Sequence, residues 1–503
     1  MMLTLQVWRR SRLCLAIASL IPGSLLAGLQ LAPLFRDGAV LQADAPAPVW
    51  GWAEPGDEVK VTFLDHTVSA HAGPDGRWSA RLAPFVANRR GTLTAASAHG
   101  TVTVHDLVTG DVWLCAGQSN MQMPVRLAHP PVGAGATPPA GDLRVFKVGI
   151  QLSPAPREDA AGNWSRWSPE SAGDFSAVAY YFGRALQARI NRPVGLIVTA
   201  KGGTPIESWL SPELLQSRPA AREILQRWAE KQSRAPVSFP DPARPPFEEV
   251  EFRMSMFGTG GYAQPGVVFN GMLNPLVPYA VRGVIWYQGE TNTAMNVIPQ
   301  AEYGGWFREL IADWRARWGR ELPFYFVQLP ANDIPSRDAT GETWATIREG
   351  QASALSLPAT AMVVTIDLGD PGHIHPLVKQ PVGERLARIA LRQTYHLADP
   401  YASSPVLAAF ETQPDFIRLN FYPADAPLRT RDNLPVAGLE FEAGDAHWQP
   451  LSARIEGSTL VCALAPTATI KAVRYAWAQN PAGANLCNAD GLPVAPFRIR
   501  LKP

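Results

Sequence analysis

The sequence is short of cysteine, of excess charge of either sign and of long apolar runs, and each shortage closes off a class of protein. Four cysteines in 503 residues are too few for a disulfide-stapled scaffold. No Cys/His spacing resembles a zinc site, so neither a metal nor any other cofactor is expected. Lys+Arg 45 stands against Asp+Glu 44, a formal net charge of +1. That balance supplies no electrostatic reason to expect nucleic acid or an anionic membrane as partner. The apolar run near the N-terminus, Leu13 to Leu20, is shorter than the ~20 residues a bilayer span needs. No internal repeat is evident.

What is present is ordinary soluble-protein material with a marked leader. Hydrophobic residues make up 46% and charged residues 18%, and the length implies two to four domains. Pro 47 and Gly 41 supply turns between short strands, and the 16 tryptophans read as core residues before sugar-stacking platforms. Arg9, Arg10 and Arg12 precede the apolar run, which ends in a Pro22-Gly23 break and the small-residue exit Ala27-Gly28. This is the pattern of a secretory signal over residues 1–28. Leu29 follows rather than Cys, so no lipid anchor is expected. The chain is expected to be exported, periplasmic or secreted, with no membrane partner after cleavage. Cys14 leaves with the signal, and Cys462 and Cys487 either pair or remain two buried thiols.

The mature chain changes character twice. From 29 to 108 it is alternating and turn-rich: Val59, Val61 and Phe63 alternate with Lys60 and Thr62, between turn clusters such as Pro55-Gly56-Asp57. Short strands at this spacing predict a small antiparallel β-sandwich. From 109 to 395, near-continuous apolar strands (Val112 to Ala116, Val194 to Ala200, Val281 to Tyr287, Phe324 to Leu329, Met362 to Ile366) alternate with helical periodicities. Trp306, Phe307, Leu310, Ile311 and Trp314 form one such helix, and Val382, Leu386 and Ile389 another. This alternation predicts an α/β domain with a mostly parallel sheet covered on both faces. A charged, Pro-rich stretch at about 211–264 interrupts it and is read as an insertion near the mouth of the sheet. From 396 to 503 the pattern turns antiparallel again, with Phe416 to Phe421 and Val473 to Trp477, and predicts a second β domain.

The strand ends carry the chemistry. In an open parallel sheet, ligands bind outside the carboxyl ends of the strands. The first strand ends in Ala116-Gly117-Gln118-Ser119-Asn120-Met121, which exposes a serine hydroxyl after a glycine. The second ends in Lys201-Gly202-Gly203-Thr204, where glycines allow close backbone approach to a ligand. The third ends in Gln288-Gly289-Glu290-Thr291-Asn292 and offers amide donors. The last runs from Asp367 through Asp370 and His373 to His375. A nucleophile, a close-approach glycine, an amide donor and a base are the parts that acyl transfer requires. Taken alone, Ser119 also fits a helix cap.

These blocks resemble the SGNH hydrolases and, more narrowly, the sialate O-acetylesterase family of carbohydrate esterases. Gly117 to Met121 and Trp286-Tyr287-Gln288-Gly289-Glu290 together carry the resemblance. Val49-Trp50-Gly51-Trp52, Ile374-His375-Pro376, Lys379, Gly383 and Arg474-Tyr475-Ala476-Trp477 extend it over nearly all of the mature chain. The resemblance implies an SGNH-type three-layer α/β/α core flanked by N- and C-terminal β-sandwich-like domains. It implies O-deacetylation of an acetylated oligo- or polysaccharide, without a metal. Carried over, Ser119 is the nucleophile and His375 its base. Backbone N–H groups of Ser119 and of Gly203 (or Gly202), with the amide of Asn292 or Gln288, hold the oxyanion. Glu207 and Glu290 are expected to brace loops.

The chain departs from the superfamily pattern at the acid. Many members have Asp three residues before the catalytic His, and here that position is Gly372. Asp370 is the expected acid; Asp367, expected to cap the strand end, is the alternative carboxylate, and a Ser–His dyad is the third option, with His373 an exposed loop residue or substrate contact. Two alternatives stand beside this reading: a non-catalytic glycan-binding protein, and a lipase or thioesterase on the same core. The sequence shows no greasy lid, and the Pro-rich insertion is polar.

Overall fold

The computed structural model describes residues 28–129, 141–234, 261–294, 297–334, 341–399, 402–444, 447–464 and 470–501. The signal segment to Ala27 and the Pro240–Pro246 part of the insertion lie outside the described residues. Among those described, no helix is long and apolar enough to cross a membrane.

The molecule is organised by one 18-residue strand, Gly100–Gly117. Its first half pairs antiparallel with Arg90–Ser97, and its second half pairs parallel with both Val194–Ala200 and Gly283–Tyr287. The transition expected near residue 108 therefore falls inside a continuous strand. Around its second half the order is Gly162–Arg166, Leu143–Val148, Val194–Ala200, Gly100–Gly117, Gly283–Tyr287, Phe324–Val327 and Thr360–Val363. Every pairing is parallel except that of the first two. After Gly117 the chain first builds one side of the sheet and then returns to build the other. The crevice of such a sheet opens at that switch point.

Strand alternation feeds two cores. Val112, Leu114 and Ala116 point to one face, where Trp286, Phe307, Leu310 and Trp314 pack. Trp113 and Cys115 point to the other, against Val178, Phe182, Val382 and Leu386. Each fully buried large apolar side chain contributes about 1.5–3 kcal/mol, so both faces are strongly held. Helices Ala177–Ile190 and Gln380–Gln393 approach closely at Gly383, where a Cβ would lie 2.7 Å from the backbone N of Phe182.

The flanking β regions keep the expected alternation. Val59, Val61 and Phe63 are all buried, on a strand paired antiparallel with His66–His71 and Arg90–Ser97. Toward the C-terminus two four-stranded antiparallel sheets carry Phe416–Tyr422 and Ile470–Tyr475. Their shared core includes Leu419, Phe421, Tyr475 and Phe497. Cys462 and Cys487 are both free and buried, so of the two options the unpaired thiols hold. The start of the insertion is more regular than its composition suggests: Pro212–Ser217 and Pro219–Arg234 are helical. Leu214, Leu215, Ile224 and Trp228 bury one stripe of these helices in the core. Arg348, fully buried, ties the C-terminal region to the sheet by donating to the carbonyls of Leu329, Pro330, Ala478 and Gln479.

Candidate active site

Register brings three of the sequence blocks to one level. Gly117 is aligned with Ala200 on one side and with Tyr287 on the other, so the chains leaving all three strands emerge together. Gly117 has φ +144°, and a Cβ there would lie 2.1 Å from the Tyr287 carbonyl oxygen. Only glycine tolerates that approach. The chain then turns through Gln118 into the short helix Ser119–Gln122.

Ser119 is 1% exposed, and its Oγ lies 2.8 Å from His375 Nε2. Gln118 Nε2 lies 3.4 Å from the same hydroxyl. His375 sits on the segment between strand Thr360–Val363 and helix Gln380–Gln393. Burial, then the Lys379 ammonium, then His373, push its pKa down to about 3. A neutral imidazole at this distance is able to accept the serine proton. The sequence separates the two residues by 256 positions; the sheet brings them into contact.

The candidate acids are differently engaged. Asp367 is gripped by Arg385 through two hydrogen bonds of 2.8 and 2.6 Å, so its carboxylate anchors the helix behind the loop. One oxygen of Asp370 accepts the Gly372 N–H at 2.9 Å. His373 is exposed.

The two glycines of the second block divide their work. Gly202 N–H donates to Gln122 Oε1 at 2.6 Å, and a Cβ on Gly202 would lie 3.4 Å from Ser119 Cβ. This backbone is therefore packed against the nucleophile, with one N–H already used. Gly203 follows with φ +77°. Before them Lys201 is buried, its Nζ 2.9 Å from the Gly202 carbonyl oxygen and 4.5 Å from the Tyr262 ring centroid. Burial lowers its pKa to about 8.

The two candidate amides belong to one buried network. Gln288 Nε2 donates to Thr204 O at 3.1 Å and to Asn292 Oδ1 at 2.7 Å, while its Oε1 accepts the Tyr303 hydroxyl at 3.0 Å. Both amide hydrogens of Gln288 are thereby committed. Asn292 Oδ1 also accepts Ile206 N–H at 2.9 Å, and one of its amide hydrogens goes to Glu207 Oε2 at 3.0 Å. Glu207 is fully buried, which raises its pKa to about 7.

A second buried network was not assigned from sequence. Asn120, directly after the nucleophile, donates to Glu290 Oε1 and, at 3.1 Å, to the Ile374 carbonyl oxygen. Its Oδ1 accepts a hydrogen from Lys379 Nζ. Burial raises the pKa of Glu290 and lowers that of Lys379, the latter to about 7, each shift partly countered by the other's charge. Asn120 and Lys379 stood inside the motifs that carry the resemblance, without a role. The available signal was three polar residues in segments otherwise packed as core.

A sequence profile described as carbohydrate esterase, sialic acid-specific acetylesterase, matches residues 109–237 and 268–392. The gap between the two stretches contains the Pro-rich part of the insertion. The chain belongs to that family. It is a carboxylic ester hydrolase. The sialate O-acetylesterase of Mus musculus is 30% identical, covering 93% of this chain and 94% of its own length. That of Rattus norvegicus is 29% identical over 94% of this chain and 95% of its own. A solved carbohydrate acetylesterase from Xanthomonas citri superposes with TM-score 0.78 at 33% identity, covering 93% of this chain and 99% of that one.

Proposed function

We propose that this esterase removes O-acetyl groups from a carbohydrate through an acetyl-enzyme on Ser119. His375 Nε2 takes the proton from Ser119 Oγ as the oxygen attacks the ester carbonyl carbon. The tetrahedral intermediate collapses, the sugar C–O oxygen leaves, and His375 returns the proton to it. Water then gives a proton to the same imidazole and attacks the acetyl carbonyl carbon; the bond to Ser119 Oγ breaks, acetate leaves, and His375 returns the proton to Ser119 Oγ. The observation that carries the reading is the 2.8 Å contact between His375 Nε2 and Ser119 Oγ.

The developing oxyanion is assigned to the N–H groups of Ser119 and Gly203 and to the Asn292 side chain. Gln288 holds Asn292 in place, because its own hydrogens are committed. Asp370 is assigned the orienting role at His375, since Asp367 is held by Arg385. The arrangement is read as an SGNH-type three-layer core at 109–395, with β domains at 29–108 and 396–503. The N-terminal signal implies an exported enzyme working on an acetylated glycan outside the cytoplasm. Acetate release from a panel of acetylated sialic acid, xylan and xyloglucan tests the substrate class. Release from none of them, with binding retained, would favour a glycan-binding protein instead.

A further inference from the structure

The catalytic loop is fastened to the nucleophile by a group outside the reacting pair. Asn120 is fully buried, adjacent to Ser119 in the chain, and donates to the carbonyl oxygen of Ile374, the residue before His375. The same side chain joins Glu290, from the end of the third strand, to Lys379, at the head of helix Gln380–Gln393. One amide thus joins the nucleophile's segment to the end of the third strand and to the stretch from Ile374 to Lys379, all far apart in the sequence.

We infer that the buried Glu290–Asn120–Lys379 chain is a positioning device that fixes the His375 imidazole against Ser119. Asn120 is the positioning residue and Lys379 its charged end. The inference rests on the reading of Ser119 and His375 as the reacting pair and adds what holds them in register.

The physical case has two parts. Both Glu290 and Lys379 are removed from water, and isolated buried charges are costly unless paired and hydrogen-bonded. Asn120 has both polarities in one group: its Nδ2 donates to the carboxylate and to the Ile374 carbonyl oxygen, and its oxygen accepts from the Lys379 amine. A hydrocarbon side chain at this position would leave both ions uncompensated. The third hydrogen bond, to Ile374 O, passes that rigidity to the residue next to the base. Misplacement of a reacting group by about 1 Å costs on the order of a hundredfold in rate.

The charges facing His375 are Lys379 from the helix behind it and His373 from its own loop. Glu290 lies beyond Asn120, and Asp370 and the Arg385-bound Asp367 are on the loop. Lys379 also lies 5.6 Å from the Tyr287 ring centroid. A cation beside the imidazole disfavours imidazolium, so it keeps the base available at lower pH.

The test is kinetics of acetate release across pH on the full-length enzyme, with kcat normalised to Ser119 titrated by a serine-directed phosphonate. Asn120→Ala should lower kcat per titrated site about a hundredfold with KM within about twofold. A purely structural role would reduce the titratable fraction and leave kcat per site unchanged, which overturns the inference. If Asn120→Ala does not fold, the near-isosteric Lys379→Met decides. Its acid limb in kcat/KM should move to higher pH by about one unit, with kcat per site reduced; an unmoved limb with unchanged kcat per site overturns the inference. Ser119→Ala and His375→Ala run in parallel. Turnover surviving in them removes the reacting pair itself, an outcome distinct from a silent Asn120→Ala.

Discussion

Two glutamates flank the nucleophile, each fully buried and each bonded to an asparagine amide, yet their surroundings differ. Glu290 reaches Asn120, which also holds a buried ammonium, Lys379. Glu207 reaches Asn292, which is held by another amide, Gln288. The cation acting on Glu207 is the exposed Lys231. The first network sets a buried carboxyl group and a buried amine on either side of one amide and touches the base's loop. The second is a neutral amide lattice around one carboxyl group with its pKa raised to about 7. On the proposed mechanism the difference would separate two tasks: one network would set the geometry of proton transfer, the other would hold a hydrogen-bond donor where negative charge develops.

Asn292→Ala should sharpen this most. Removing an oxyanion donor lowers kcat by roughly 10²–10³. It also strips a partner from Glu207, with about 1–3 kcal/mol lost in stability. Steady-state kinetics together with thermal unfolding measure both effects; full turnover with lowered stability would make Asn292 a brace only.

Asp370→Asn tests the base's side of the comparison. We expect kcat to fall at least roughly a hundredfold with KM nearly unchanged, as for a group whose contribution grows in the transition state. If Asp370→Asn is nearly silent and Asp367→Asn is not, the two roles are exchanged; if both keep turnover within about threefold of wild type, the enzyme is a Ser–His dyad. Asp367→Asn should act mainly on stability, because its carboxylate serves Arg385.

Glu207→Gln should have the smallest effect on turnover and a distinctive effect on pH dependence. The folded pKa of Glu207, about 7, lies above its ordinary 4.5. The stability it contributes is therefore complete below about pH 4.5 and is lost as pH rises through about 7. The variant keeps an acceptor for Asn292 and should flatten that decline, worth on the order of 3 kcal/mol, in unfolding midpoints taken from pH 4.5 to 8. An unchanged pH slope would show that Glu207 is ionised without penalty.

The meeting of Ser119 and His375 was legible because the segments carrying them follow strongly apolar strands, where the physics of open sheets places ligands. The antiparallel flanks were legible through alternation such as Val59-Val61-Phe63. How the amides of Gln288 and Asn292 are engaged was not legible, because it depends on contacts to Thr204, to Glu207 and to each other. The helices at Pro212–Arg234 were obscured by proline and charge; only tertiary contacts reveal their buried Leu214, Ile224 and Trp228 stripe. Asn120 escaped notice for a similar reason. Its partners lie 170 and 259 residues away, and no local period encodes them.

The central claim is that Ser119 is the nucleophile, activated by His375. The direct measurement is peptide mass mapping after reaction with a serine-directed phosphonate, alongside acetate release by wild type and Ser119→Ala. The account predicts one adduct, on the peptide carrying Ser119, formed in proportion to the activity lost. It also predicts a folded Ser119→Ala protein that neither labels nor turns over, down by several orders of magnitude. An adduct on another serine, or Ser119→Ala retaining about a tenth of wild-type turnover, against the near-complete loss expected of a nucleophile, would contradict it.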